Sequence, residues 1–167
     1  SVGIGTSTPG APIEIHGHVS QTGTGESVYF GEGAGENINQ DNNHNVFIGY
    51  YAGYSDTSGW NNTAIGYHSL YSNTSGFNNT GIGYNTLVHN TTGAANTAIG
   101  EGAMENNISG SANLAMGSAS LSVNTIGSAN IALGNSTLEY NRSGNNNTAI
   151  GYGALSSDTL GNNNVAI

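Results

Sequence analysis

Asn147-Thr148-Ala149-Ile150-Gly151-Tyr152-Gly153-Ala154-Leu155 decides how this chain folds, because the pattern returns every seventeen residues. Backwards it reads Asn130-Ile131-Ala132-Leu133-Gly134, Asn113-Leu114-Ala115-Met116-Gly117 and Asn96-Thr97-Ala98-Ile99-Gly100. Before those stand Asn79-Thr80-Gly81-Ile82-Gly83, Asn62-Thr63-Ala64-Ile65-Gly66 and Asn45-Val46-Phe47-Ile48-Gly49. Asn164-Val165-Ala166-Ile167 is an eighth copy, cut by the end of the chain. A fixed period of this size marks stacked repeats, which bury their apolar faces against one another.

Number each repeat from its Asn. Position five is Gly from Gly49 to Gly151, and position fifteen is Gly from Gly59 to Gly161. Position four is Ile, Met or Leu throughout. Position nine is Leu or Met except at Gly53, and position twelve is Asn between Asp56 and Asp158. Two glycines per repeat, with β-branched residues and Asn, oppose a helix. Seventeen residues suit two strands of about five residues and two turns. In a strand, Thr, Ile and Tyr of Thr-Ala-Ile-Gly-Tyr share one face and Ala and Gly the other, so both faces are expected to be covered. The position-fifteen Gly is expected to supply a positive φ at a corner. The Asn at positions one and twelve are expected to stack into amide ladders, coil on coil.

The expected fold is therefore all-β, a parallel β-solenoid or β-roll of 17-residue coils. One such coil offers a thin core to a lone chain. Self-association around a common axis, as a homotrimer of side-by-side or intertwined chains, would bury a second apolar face.

The rest of the composition narrows the function. Only 7% of the 167 residues are charged, with one basic residue against ten acidic and a net charge of −9. Nucleic acid and anionic membranes, which demand Lys and Arg, are poor partners for such a chain. There is no cysteine for disulfides or thiolate–metal sites. No apolar run approaches the ~18 residues of a membrane span. The strict period opposes the disorder that a low-charge, Gly- and Asn-rich composition would otherwise suggest. The chain opens inside one motif and closes inside another, as expected of a segment of a longer protein.

Residues 1–26 lack the repeat. Val2-Gly3-Ile4-Gly5, Thr6-Ser7-Thr8-Pro9-Gly10 and Ile13-Glu14-Ile15-His16 fit a β connector or hairpin. Residues 27–167 form the repeat domain. Its first coil, 27–44, is degenerate: Val28-Tyr29-Phe30-Gly31 precedes Val46-Phe47-Ile48-Gly49 by eighteen residues. The extra residue is expected in the polar run from Asn37 to Asn45.

The pattern Asn-Thr-Ala-Ile-Gly-Tyr-x-Ala-Leu-x-x-Asn-Thr-x-Gly resembles the head repeats of trimeric autotransporter adhesins, and more closely repeats of phage and phage-like tail fibres. Val2-Gly3-Ile4-Gly5-Thr6-Ser7-Thr8-Pro9 through Gly17 resembles the connector near such repeats. The autotransporter repeat is usually shorter. The resemblance implies a left-handed β-roll trimer in a virion tail fibre or on a bacterial surface, an extracellular structural segment serving attachment to a host or cell-surface receptor. It also implies a use for His16 and His18, two apart and so on one strand face. Tail-fibre needles hold a metal on the three-fold axis with such pairs. Six imidazoles from three chains would suit one octahedral transition metal, iron first; otherwise they are two solvated histidines and no cofactor is expected.

Enzyme signals are missing: no metalloprotease, nucleophile-elbow or phosphate-loop pattern appears, and the acids do not recur in pairs. No enzymatic activity is expected. The aromatics instead cluster. Tyr50, Tyr67 and Tyr84 share position six, Tyr54 and Tyr71 position ten, and Trp60 and Phe77 position sixteen. These seven are candidates for receptor or glycan binding, rings stacking on sugar faces and amides meeting hydroxyls. The alternative is packing at a subunit interface. Thr63, Thr80, Thr97 and Thr148 at position two, with Thr57, Thr74, Thr91, Thr125 and Thr159 at position thirteen, open a second reading, an ice-binding solenoid. Leu114, Ile131, Ile108 and Arg142 interrupt those ladders.

Overall fold

The computed structural model describes residues 27–39 and 43–167. The connector 1–26, with His16 and His18, lies outside the described residues.

Each coil contributes one short strand. These are β1 (Val28–Phe30), β2 (Val46–Ile48), β3 (Thr63–Ile65), β4 (Thr80–Ile82), β5 (Thr97–Ile99), β6 (Leu114–Met116), β7 (Ile131–Leu133), β8 (Thr148–Ile150) and β9 (Val165–Ala166). They lie in sequence order in one nine-stranded sheet. Every pair is parallel, and the register sets like on like: Ile48 beside Ile65, Ile65 beside Ile82. This is a parallel β-solenoid with 17-residue coils. At ~4.8 Å per strand the sheet runs roughly 38 Å.

β1 to β2 is an eighteen-residue step, Val28 beside Val46. Asn37 N–H donates to the Tyr54 carbonyl, as Ser72 N–H does to Val88 one coil on, so Asn37 stands eighteen before Ser55. The Asn43 carbonyl accepts from Asn61 N–H as that of Trp60 does from Asn78, so Asn43 stands seventeen before Trp60. The extra residue enters between them, inside the expected polar run.

The expectation of two five-residue strands per coil fails. One three-residue strand is followed by a chain that alternates handedness. Position five is Gly because φ is near +130° there, +131° at Gly66. Positions seven, nine and seventeen are also left-handed, and mostly not glycine: His68 (φ 53°), Leu70 (φ 53°), Asn78 (φ 55°). Each such residue costs about 1–2 kcal/mol, and the alternation offsets this by aiming N–H groups along the axis. His68 N–H donates to the Tyr50 carbonyl of the preceding coil (3.0 Å), Leu70 N–H to Thr86 of the next (2.9 Å), and Asn78 N–H back to Trp60 (3.0 Å). A helix cannot do this, because it spends its N–H groups internally.

The position-fifteen Gly has a different role from the one its sequence suggests. Gly76 is not left-handed; a Cβ there would lie 2.5 Å from the Gly93 carbonyl oxygen and against the Asn73 amide. Close approach of coils, not φ, demands glycine.

The core is two columns wide. Position three supplies Ala64, Ala98, Ala115, Ala132 and Ala149, and position nine Leu70, Leu87, Met104, Leu121 and Leu138, all fully buried. Where position three grows, position nine shrinks. A Cβ on Gly53 would enter the Phe47 ring, and one on Gly35 would come 2.9 Å from Tyr29. The Tyr29 and Phe47 rings stack at 5.6 Å. Gly53, the exception in the leucine column, is thus the complement of Phe47.

Two asparagine ladders flank this core. At position one, Asn62 N–H donates to Asn45 Oδ1 (2.8 Å), and Asn45 Nδ2 staples the Gly59 carbonyl of its own coil (3.0 Å). At position twelve, Asn90 Nδ2 donates to Asn73 Oδ1 and Asn107 Nδ2 to Asn90 Oδ1, both at 2.8 Å. Both columns are fully buried at these rungs. The position-twelve donors all point toward the N-terminal coil. Below Asp56 the position-twelve residue is Ile38, which holds no acceptor. A carboxylate fits that lowest rung, because it only accepts: from Gly59 N–H (2.6 Å) and Asn73 Nδ2 (3.1 Å). At the other end Asp158 donates nothing downward, and the buried Asn141 Oδ1 has no partner among the described residues.

The strand's two faces differ, contrary to the expectation that both are covered. Position three is sealed; positions two and four point outward. Ile82 is 37% exposed, and Phe30, Ile48, Ile65, Met116 and Ile150 are exposed with it. The position-four column lies outside the protomer's core, as an apolar stripe along the whole sheet.

Candidate binding surface

The seven candidate aromatics fall into two groups. Position six follows each strand by one glycine and projects outward. Tyr50 and Tyr67 stack at 5.3 Å and Tyr67 and Tyr84 at 5.2 Å, their planes within 12°. Tyr54 and Tyr71 stack at 5.2 Å one turn further along the coil. Trp60 and Phe77 stack at 4.7 Å with planes 4° apart, and no ring contact joins them to the tyrosines. The spacings follow from the coil rise: identical side chains one coil apart can only lie face to face.

Two further residues join the tyrosine group. Tyr51 meets Tyr50 edge-on at 4.4 Å and Tyr54 at 4.8 Å. His68 lies 3.9 Å from Tyr67 and 4.8 Å from Tyr71. Both occupy position seven. Strand alternation would send them to the opposite face from position six; the left-handed φ of 52° at Tyr51 and 53° at His68 turns them back onto it. Their shared column was the available signal. Partial burial lowers the His68 pKa and favours neutral imidazole. The neighbouring Tyr50 phenol, and then burial, raise that of Tyr51.

This stacking changes what the surface can do. Both faces of the Tyr67 ring are closed by Tyr50 and Tyr84. A sugar cannot lie flat on the middle of the stripe, which presents ring edges and phenol hydroxyls. Open faces remain only at the ends. Glu101 follows Tyr84 in its column and Glu105 follows Val88. A cavity of about 230 Å³ at the C-terminal end is lined by Tyr84, Asn85, Glu101, Glu105, Ser118 and Ser122. The buried Asn85 Oδ1 has no partner among the described residues. The tyrosines, 41% to 52% exposed at position six, are not core residues of the protomer.

The threonine columns also separate. Position two lies on the outer sheet face, whereas position-thirteen hydroxyls are spent within the fold: Thr57 Oγ1 donates to the Thr74 carbonyl at 2.9 Å and Thr74 to Thr91 at 3.0 Å.

No helix among the described residues is long and apolar enough to cross a membrane. The fold and surface define a solenoid repeat protein with an uncovered apolar sheet face and a separate aromatic patch. No protein-family model matches the chain, and neither a curated protein nor a solved structure does.

Proposed function

We propose that this chain is a non-enzymatic structural and adhesive segment of a homotrimeric fibre, a left-handed β-roll carried outside the cell on a virion tail or a bacterial surface. The position-four column carries the proposal. It runs from Phe30 to Ile150 as one apolar stripe, exposed in the protomer except at the half-buried Ile99 and Leu133. A two-column core is thin for eight coils, and apolar faces of this length are normally partnered. Three such stripes meeting on an axis would give each coil a second core. The resemblance of the repeat to fibre and adhesin repeats supports the same assembly. The Tyr50–Tyr84 patch and the Trp60–Phe77 stack lie to either side in the coil and serve as receptor-facing surface, meeting a host or cell-surface glycan through ring edges, hydroxyls and the open end faces.

Ile82→Asp tests the assembly. In a free protomer the new carboxylate reaches water at this 37% exposed site and is not buried as a charge. In a trimer it is buried without a partner and the assembly dissociates. A variant that keeps both its mass and its melting temperature would refute the interface.

Ice binding retains one observation: Thr63, Thr80 and Thr97 lie in register on the outer sheet face. The hydroxyls of Thr57, Thr74, Thr91 and Thr125 at position thirteen, already bonded to carbonyls, cannot add a second row. Thermal hysteresis in the purified protein would favour that reading over the fibre.

A further inference from the structure

Three columns depart from their usual residue together at one place, although Ile108 also interrupts position thirteen and Ile126 position fourteen elsewhere in the chain. Position thirteen is a threonine column whose hydroxyls brace the next coil, Thr91 to the Ile108 carbonyl at 3.1 Å and Thr125 to that of Arg142 at 2.9 Å. Arg142 gives up this brace and keeps only its backbone donation to Thr159, at 2.9 Å. It is the only basic residue of the chain. It gains no ion pair in exchange, since no carboxylate among the described residues lies within pairing distance of it. Position eleven is otherwise free of Phe, Tyr and Trp, yet holds Tyr140, 51% exposed. Its column neighbours Val123 and Ser157 carry no ring, so both faces of Tyr140 are free of the stacking that closes Tyr67. Position fourteen is Ser or Thr in five coils, yet holds Leu160, 63% exposed. All three line one cavity of about 500 Å³, together with Ser157 and Thr159. Departures from a repeat that stabilise nothing within the fold are expected at functional sites.

We infer that this cavity binds a hexuronic acid residue of a saccharide. The guanidinium matches a carboxylate, with two parallel N–H donors to its two oxygens. The free Tyr140 face and the Leu160 side chain suit the C–H face of a pyranose. The Ser157 and Thr159 hydroxyls suit its hydroxyls. The cavity lies within the ~300–1,000 Å³ of small-ligand sites. The net charge of −9 opposes polyanions and dianions more strongly than a group carrying one negative charge. The site deepens the attachment reading and rests on it for the source of the saccharide. Tyr140 and Arg142 lie three coils beyond Tyr84, the last tyrosine of the patch, and the chemistry of the cavity does not depend on that patch.

The test is an NMR titration of the full 167-residue chain with methyl glucuronide and methyl glucoside. The glucuronide binds at least tenfold tighter, and added salt lowers that preference. Arg142→Thr restores the threonine column, so it keeps or raises the melting temperature while abolishing the preference. Tyr140→Ser weakens both sugars. Equal binding of the two sugars, no binding of the glucuronide, or a preference surviving Arg142→Thr would overturn the site. So would a loss of melting temperature or of solution mass in Arg142→Thr, which would make Arg142 a structural or subunit contact. The fibre is judged separately: dissociation or persistence of the Ile82→Asp variant decides the assembly, and the sugar preference of that same sample decides the cavity.

Discussion

Phe47 and Gly53 should behave as one unit. Phe47→Ala removes a fully buried ring and leaves Gly53 facing the void, for a cost of about 3–5 kcal/mol. Gly53→Leu drives a side chain into the Phe47 ring, where even a Cβ overlaps it; overpacking costs about 1–3 kcal/mol or more. The two together recreate the Ala–Leu pair of the later coils. The backbone is already suited, with φ +60° at Gly53 against +53° at Leu70. The double variant loses the Tyr29–Phe47 stack at 5.6 Å, worth about 0.5–1.5 kcal/mol, and takes on the left-handed cost of about 1–2 kcal/mol that Leu70 also bears. It should therefore be more stable than either single variant, with a favourable coupling of roughly 3 kcal/mol or more across the cycle. Urea unfolding of the four proteins, followed by circular dichroism, measures this. Additive losses in the double variant would refute the complementary packing.

Asp56 and the left-handed leucines give two further tests. Burial raises the Asp56 pKa from 3.8 to about 6, so the folded state binds the proton more tightly than the unfolded. Its ionisation therefore destabilises the fold as pH rises from about 4 through 6, by roughly 3 kcal/mol at ~1.4 kcal/mol per unit. Asp56→Asn cannot ionise, and relative to wild type it should gain that amount between pH 4 and pH 7; parallel pH profiles would refute the assignment. Leu121 sits at φ 51°, where a β-branched side chain is strained. Leu121→Ile should cost more than Leu121→Met, which copies Met104, although all three have nearly the same volume; equal melting temperatures would show that φ does not govern this column.

The solenoid was legible because the period set each column upon itself. Ile48, Ile65 and Ile82 pair in register for the same reason that they recur in sequence. The asparagine ladders were legible too, since a buried amide repeated at one position has its own copy as nearest neighbour. The backbone between strands was not. Leu70 and Leu87 adopt φ of 53° and 52°, which no propensity assigns to leucine; inter-coil hydrogen bonds and burial override local preference there. That hidden alternation also misdirected the faces, placing Tyr51 and His68 away from the tyrosines they contact. The role of Gly76 was misread because sequence shows a glycine but not whether φ or a neighbouring carbonyl requires it. The outward aim of Ile82 follows from a core so narrow that Ala at position three and Leu at position nine fill it.

Static light scattering at micromolar concentration measures the assembly. The mass should be three times that of the 16.9 kDa protomer, held on dilution and lost in Ile82→Asp. A stable, cooperatively folded species at the single-chain mass would contradict it, because the apolar stripe from Phe30 to Ile150 would then face water in the native protein.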